Sequence, residues 1–217
     1  MTAITANPTR AQLWLEFAIL FLGVPVLMAA FFGQYSLFSV VWLLAGVAAL
    51  LLIFTPGFQW SMLWRGPVLG EWRLILVFVL ATAATCAAFV FALVPERFLE
   101  IPRNRPELWI MIMTAYPLLS AWPQELIYRS LFFERYGVLF SSPMVLILAN
   151  GVVFGLGHLF YMNAVTILMT AAGGAIMGWA YLRGRSMLLA WVLHALAGNL
   201  VFTMGLGTFF YSGAVGG

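Results

Sequence analysis

Residues 13–32 read LWLEFAILFLGVPVLMAAFF, twenty positions whose one charge, Glu16, falls within a turn of the start. At 1.5 Å per residue a helix of this length covers about 30 Å, the thickness of a bilayer's hydrocarbon core. The run exceeds the apolar region of a cleavable signal, and no small-residue cleavage context follows it, so it reads as a first membrane span. Outward from it, the same pattern recurs. Stretches near 13–33, 37–55, 73–94, 108–134, 143–161, 163–182 and 186–205 all qualify by length and apolarity. With 64% of 217 residues apolar and a mean hydropathy of +1.03, the chain carries more hydrophobic mass than a soluble core could absorb.

Lipid offers no hydrogen-bond partner, so spans must satisfy their backbone internally, and the short alternating segments of a barrel are missing. The expected fold is therefore all-α: a polytopic transmembrane helical bundle of about seven spans, with six to eight as the range. One membrane domain is expected, divided into a three-span region over 1–107, a four-span core over 108–205 and a short glycine-rich tail over 206–217. Gly151 with Gly155, and Gly174 with Gly178, lie at helical spacing and would let the fifth and sixth spans approach closely.

All ten cations are Arg and all seven anions are Glu. Lacking Lys and Asp, the chain cannot run Schiff-base or P-loop lysine chemistry, an EF-hand loop or a paired-aspartate protease. Cys86 is the single cysteine, so intrachain disulfides are excluded. A net charge of +3 and a pI near 9.4 would suggest nucleic acid in a soluble protein. Here the arginines flank apolar runs and read as orientation signals, with no nucleic-acid partner. With alternating spans, Arg10, Arg65, Arg73, Arg135, Arg183 and Arg185 fall on one side, and Arg97, Arg103 and Arg105 on the other, which favours a cytoplasmic N-terminus.

The informative residues are the ionisable ones inside spans, because each costs about 2.5–3.5 kcal/mol at a helix centre on insertion scales. Glu125, Arg129, His158 and His194 stand out, and the last two are the chain's only histidines. Glu16 is close enough to a span end to snorkel to the interface. Glu125 and Arg129 are one turn apart with the acid first, the favourable order for a pair. Pro123 cannot donate to the Leu119 carbonyl, so a kink or restart is expected there, which would put Glu125 in a first helical turn favourable to a carboxylate. In 143–161, helical spacing puts Phe154 and His158 on one face, with Gly155 and Gly157 opening space beside them. Counted from the arginine-rich turns, Glu125 lies roughly 15 Å deep, His194 roughly 12 Å and His158 roughly 22 Å. Three titratable groups at such depths suggest one site.

Three chemistries suit that site. A carboxylate and two imidazoles can activate and orient water and stabilise an oxyanion, hydrolysing an amide without a nucleophilic serine or cysteine. Two His and one Glu could also ligate zinc with an open position. Proton or ion passage is the third option, although transport paths usually spread their acidic groups.

The residues also carry a likeness. The chain resembles the CAAX protease and bacteriocin-processing family of intramembrane proteases (CPBP, also called Abi), related to the type II CAAX prenyl endopeptidases. That family's Glu-Glu-x-x-x-Arg motif is matched by Gln124-Glu125-Leu126-Ile127-Tyr128-Arg129, its Phe-x-x-x-His by Phe154 to His158, and its His-x-x-x-Asn begins at His194. The likeness covers about 108–201. It implies an intramembrane endopeptidase of a bacterial or archaeal inner membrane, cleaving a membrane-anchored or lipid-modified protein or peptide. It also implies Glu125, His158 and His194 as catalytic, with Gln124, Arg129, Phe154 and Asn199 supporting. On that reading Glu125 takes a proton from water, His194 with Asn199 holds the oxyanion, His158 orients water or substrate, and Arg129 fixes the carboxylate.

Two departures bear on this. The family's leading glutamate is Gln124, whose amide cannot accept a proton at neutral pH, so Glu125 is expected to take the base role after a small rotation. Four residues after His194 stands Gly198, with Asn199 one further on, and a bulge at the glycine is expected to bring the asparagine round. A zinc ion at Glu125, His158 and His194 is not favoured, because no His-Glu-x-x-His helix occurs, and no cofactor is expected. The alternative reading is a non-proteolytic immunity or partner-binding protein on the same scaffold, with Gln124 marking lost chemistry. Rhomboid-like chemistry is disfavoured by the lack of a Gly-x-Ser-Gly run.

Overall fold

The computed structural model describes residues 8–31, 34, 36–66 and 68–210. Among them helices are the only regular structure, and none forms a strand. Five stretches are long and apolar enough to cross a membrane: α1 (Arg10–Ala30), α3 (Leu69–Leu93), Pro143–Tyr161, which contains α6 (Pro143–Leu156), α7 (Ala164–Gly184) and α8 (Met187–Met204). Between them, α2 (Leu37–Ile53) is a shorter apolar helix, α4 (Glu100–Asn104) a single turn or so, and α5 a continuous helical path over 106–136. The protein is a multi-pass integral membrane protein. The end of the tail, 211–217, and the end of the first expected span, Phe32 and Gly33, lie outside the described residues.

Polar side chains set the helix starts. Thr9 and Gln12 form a reciprocal capping box on α1, and Ser36, Ser142, Asn163 and Ser186 each accept from a first-turn amide of α2, α6, α7 and α8. Gly205 ends α8 in the left-handed region at φ 107°, pressed so closely on the Arg97 carbonyl that no side chain would fit there.

Internal prolines explain the irregular windings. In α1 a wide π turn, Ile19–Gly23, precedes Pro25, and in α5 another, Pro117–Ala121, precedes Pro123. Widening the ladder just before a proline relieves the ring's clash with the carbonyl behind it. The expected restart at Pro123 does not occur. Ala121 and Trp122 remain right-handed helical and the Trp122 amide bonds to the Pro117 carbonyl, so the helix stays bonded through the proline and Glu125 is mid-helix.

The glycines of α6 and α7 bring the two helices into backbone contact. A Cβ on Gly151 would lie 2.7 Å from the Ala171 carbonyl oxygen, one on Gly155 2.9 Å from the Ala171 Cβ, and one on Gly174 2.8 Å from the Phe154 Cβ. These glycines are packing residues, and α7 fills the space beside Gly155.

Charges collect at two ends. At the first, Glu16 does not snorkel as a free group but takes Arg135 in a bidentate pair, Nε to Oε2 at 2.7 Å and Nη2 to Oε1 at 2.9 Å. Arg135 Nη1 also reaches Thr55 Oγ1 at 3.3 Å, so α1, α5 and the end of α2 are tied by one guanidinium. Arg185 pairs with Glu134, Arg183 with Glu71, and Arg10 donates to the carbonyls of Val138 and Leu139. Arg97 pairs with Glu100 at the other end, and that hydrogen bond holds its pKa above the ordinary arginine value.

Candidate functional site

The site is assembled from the middle of α5, the C-terminal end of α6 and the middle of α8. Glu125 on α5 has no exposed surface, and its Oε1 lies 2.7 Å from Nδ1 of His194 on α8. Oε2 lies 3.1 Å from Nε of Arg129, one turn further along α5 and equally buried. That N–H is not aimed along the line of contact, so charge attraction holds the two without a formed hydrogen bond. The Arg129 guanidinium lies instead over the Phe154 ring, 4.5 Å from its centroid.

Phe154 is the hub. Besides Arg129, its ring meets His158 at 4.8 Å, Tyr128 at 5.0 Å and His194 at 5.4 Å, in three edge-on contacts. Gly174 permits this, since α7 lies directly on the Phe154 Cβ. Gly157 is occupied in turn by the Tyr128 hydroxyl.

His158 is not inside a helix as expected. α6 ends at Leu156, and His158 stands in the turn leading to a 3-10 segment, Leu159–Tyr161. The end of the helix frees the Phe154 carbonyl, and His158 Nδ1 lies 2.7 Å from that oxygen. The pairing of Phe154 with His158 thus survives, built by a helix terminus and not by a helix face. Both imidazoles are anchored the same way. Nδ1–H donates to an oxygen, to Phe154 in one ring and to Glu125 in the other, which leaves each Nε2 as the unanchored nitrogen.

Gln124 and Asn199 take other duties. Gln124 turns away, donating to Ser120 Oγ at 2.9 Å, and hydrogen-bonds neither histidine. No bulge forms at Gly198. α8 runs regularly from Met187 to Met204, and Asn199 Nδ2 donates to the Met113 carbonyl at 3.3 Å. The glycine serves a different neighbour: the Tyr116 ring packs onto it, and a Cβ would fall 2.1 Å from Tyr116 Cε1.

Several contributors went unread in the sequence. Pro123 leaves the Leu119 carbonyl without its helical donor, and Trp42 Nε1 fills the role at 3.1 Å. Trp191 Nε1 donates to the Pro117 carbonyl at 2.7 Å. Asn150, wholly buried in α6, donates to the Tyr128 carbonyl at 2.7 Å beside a second π turn, Leu126–Leu131. Prolines within an apolar helix signal that donors must come from elsewhere, but not from where.

The fit of a metal was tested on the donor atoms. Among the described residues no three His, Cys, Asp or Glu side chains are grouped to hold an ion. The Glu125 oxygens and both Nδ1 atoms are already directed at protein partners. Zinc is therefore a poor fit to these side chains as placed.

Residues 105–200, just under half of the chain, match the model of a family described as type II CAAX prenyl endopeptidase Rce1-like. The match agrees with the likeness read from the three motifs and spans all of the site described above. Neither the curated proteins nor the solved structures include a match.

Proposed function

We propose that the protein is an intramembrane endopeptidase that hydrolyses a peptide bond near the membrane-anchored, lipid-modified end of a protein substrate. The match of 105–200 to a prenyl endopeptidase family supports the reaction and the substrate class. The observation that carries the chemistry is the 2.7 Å contact between buried Glu125 and His194 Nδ1.

A carboxylate on Nδ1 fixes the imidazole tautomer and stabilises the imidazolium, so Nε2 becomes the basic atom. The sequence reading gave the base role to Glu125 itself. With both oxygens directed at Arg129 and His194, the arrangement supports a relay: His194 Nε2 takes the water proton as the water oxygen attacks the scissile carbonyl carbon. Glu125 offsets the charge left on the ring. His194 then returns the proton to the departing nitrogen, giving a free amine and a carboxylate. His158 Nε2 accepts the water's second hydrogen and orients its lone pair. Arg129, with its Nε 3.1 Å from Oε2, holds the Glu125 carboxylate in place.

The test is a proteoliposome assay with peptides bearing a farnesylated C-terminal cysteine motif, read by mass spectrometry for new termini. Wild type should release the C-terminal fragment, and His194→Ala and Glu125→Gln should not. Cleavage that persists in both variants would remove the proposal. Gln124 favours one alternative. Because its amide serves Ser120 where the family has a carboxylate, a non-proteolytic partner-binding protein is the reading that a complete lack of product would support.

A further inference from the structure

Asn199 is committed to the Met113 carbonyl, so the site as drawn has a base and a water-orienting group but no neutral donor for a developing oxyanion. Tyr116 offers one. Its ring stands edge-on to His194 with centroids 6.0 Å apart, on the imidazole that Glu125 anchors. No described residue hydrogen-bonds to its hydroxyl.

The position is fixed from three directions. Gly198, one turn beyond His194, makes room on α8 for the ring, since a Cβ there would come 2.5 Å from the phenol oxygen. Phe202, a further turn along, packs edge-on at 5.6 Å. Behind it, Pro117 restricts the backbone, and its carbonyl is held by Trp191. A hydroxyl without a partner among the described residues, held beside a catalytic imidazole, is the arrangement that stabilises charge only when charge develops.

We infer that Tyr116 is a further catalytic residue, donating its hydroxyl hydrogen bond to the oxyanion of the tetrahedral intermediate, with Gly198 as the positioning residue that seats it. The inference rests on the endopeptidase reading. No proton leaves the phenol. The bond tightens as the carbonyl oxygen becomes anionic and relaxes when the amine departs.

The experiment compares wild type, Tyr116→Phe and Gly198→Ala in the proteoliposome assay, alongside inhibition by a peptidyl phosphonate whose tetrahedral oxygens mimic the intermediate. Tyr116→Phe keeps the ring and should fold as wild type. Its kcat should drop about 10²- to 10³-fold with KM unchanged, the loss expected for one oxyanion donor. Phosphonate affinity should weaken in parallel with kcat/KM, which a packing role would not produce. Gly198→Ala keeps the hydroxyl but displaces it and should show the same split. A Tyr116→Phe enzyme with wild-type kcat and phosphonate affinity overturns the inference and leaves the endopeptidase reading standing. An inactive wild type overturns that reading and this inference together.

Discussion

Asn199 supplies the hydrogen that Pro117 lacks. Four residues before the proline, the Met113 carbonyl would ordinarily receive the amide of residue 117, and instead Asn199 Nδ2 from α8 donates to it at 3.3 Å. A side chain expected at the chemistry is thus bound to the helix that carries it.

The first prediction follows from that substitution of donors. Asn199→Ala should lower stability by about 1–3 kcal/mol, the cost of a buried acceptor left alone. In a Pro117→Ala background the amide returns, and the same change should cost less than half as much. Reversible unfolding in mixed micelles measures the cycle, and equal costs in both backgrounds would refute the pairing.

Glu125 answers to two partners, so its removal should show in two measurements. Glu125→Gln should reduce turnover by about 10²- to 10⁴-fold, the usual range for lost acid–base catalysis. It should also destabilise the protein by about 3–5 kcal/mol, because Arg129 is left charged and buried. Adding Arg129→Met should recover much of that stability while leaving turnover low. If the second change restores nothing, the buried pair is not what Glu125 supports.

At the arginine-rich end, Arg135→Gln should cost about 1.5–3 kcal/mol by breaking its charged hydrogen bonds to Glu16. Glu16→Gln should cost less, because its carboxylate is 30% exposed while the arginine side chain is 6% exposed. Hydrolysis in the surviving folded fraction should be unchanged, and a turnover defect at equal folded fraction would contradict this.

Close helix contact makes its own prediction. Gly151→Ala puts a Cβ 2.7 Å from a backbone oxygen that cannot rotate away, so α6 and α7 must part. A loss of about 1–3 kcal/mol is expected for such overpacking. Gly46→Ala, with open space around it, is the control and should be neutral or slightly stabilising. A similar loss at both would mean that helix propensity and not packing sets the cost.

Strong chelators should leave peptide hydrolysis intact, because Glu125 Oε1 and the Nδ1 atoms of His158 and His194 are turned to protein partners and no three His, Cys, Asp or Glu side chains among the described residues are grouped to hold an ion. Loss of activity on chelation, restored by zinc at one equivalent, would require those side chains to rearrange around an ion.

The bundle was legible because apolar runs of membrane length admit few alternatives, and 13–32 with its successors predicted the helices within a few residues. Glu125 and His194 were legible for a related reason: an ionisable group in an apolar run needs a partner, and there were few to choose from. The roles of Asn199 and Tyr116 were not. They depend on which carbonyl a proline orphans and which ring a glycine admits, both settled by how α5 and α8 lie together. The pairing of Glu16 with Arg135 was hidden similarly, since 119 residues separate them. His158 kept its expected neighbour but not its expected helix, because α6 ends at Leu156 while Phe154 still offers its carbonyl.

The π turn at 117–121 has a kinematic consequence. A wide turn holds one more residue than an α turn, so it acts as a vernier on everything downstream. Tightening it would advance the following segment by one position, about 100° of azimuth, and swing the Glu125 carboxylate off the bearing of His194. Which of two adjacent side chains meets the imidazole is thus governed by the pitch of a few residues, and winding them as an α turn would bring Gln124 to the place of the acid.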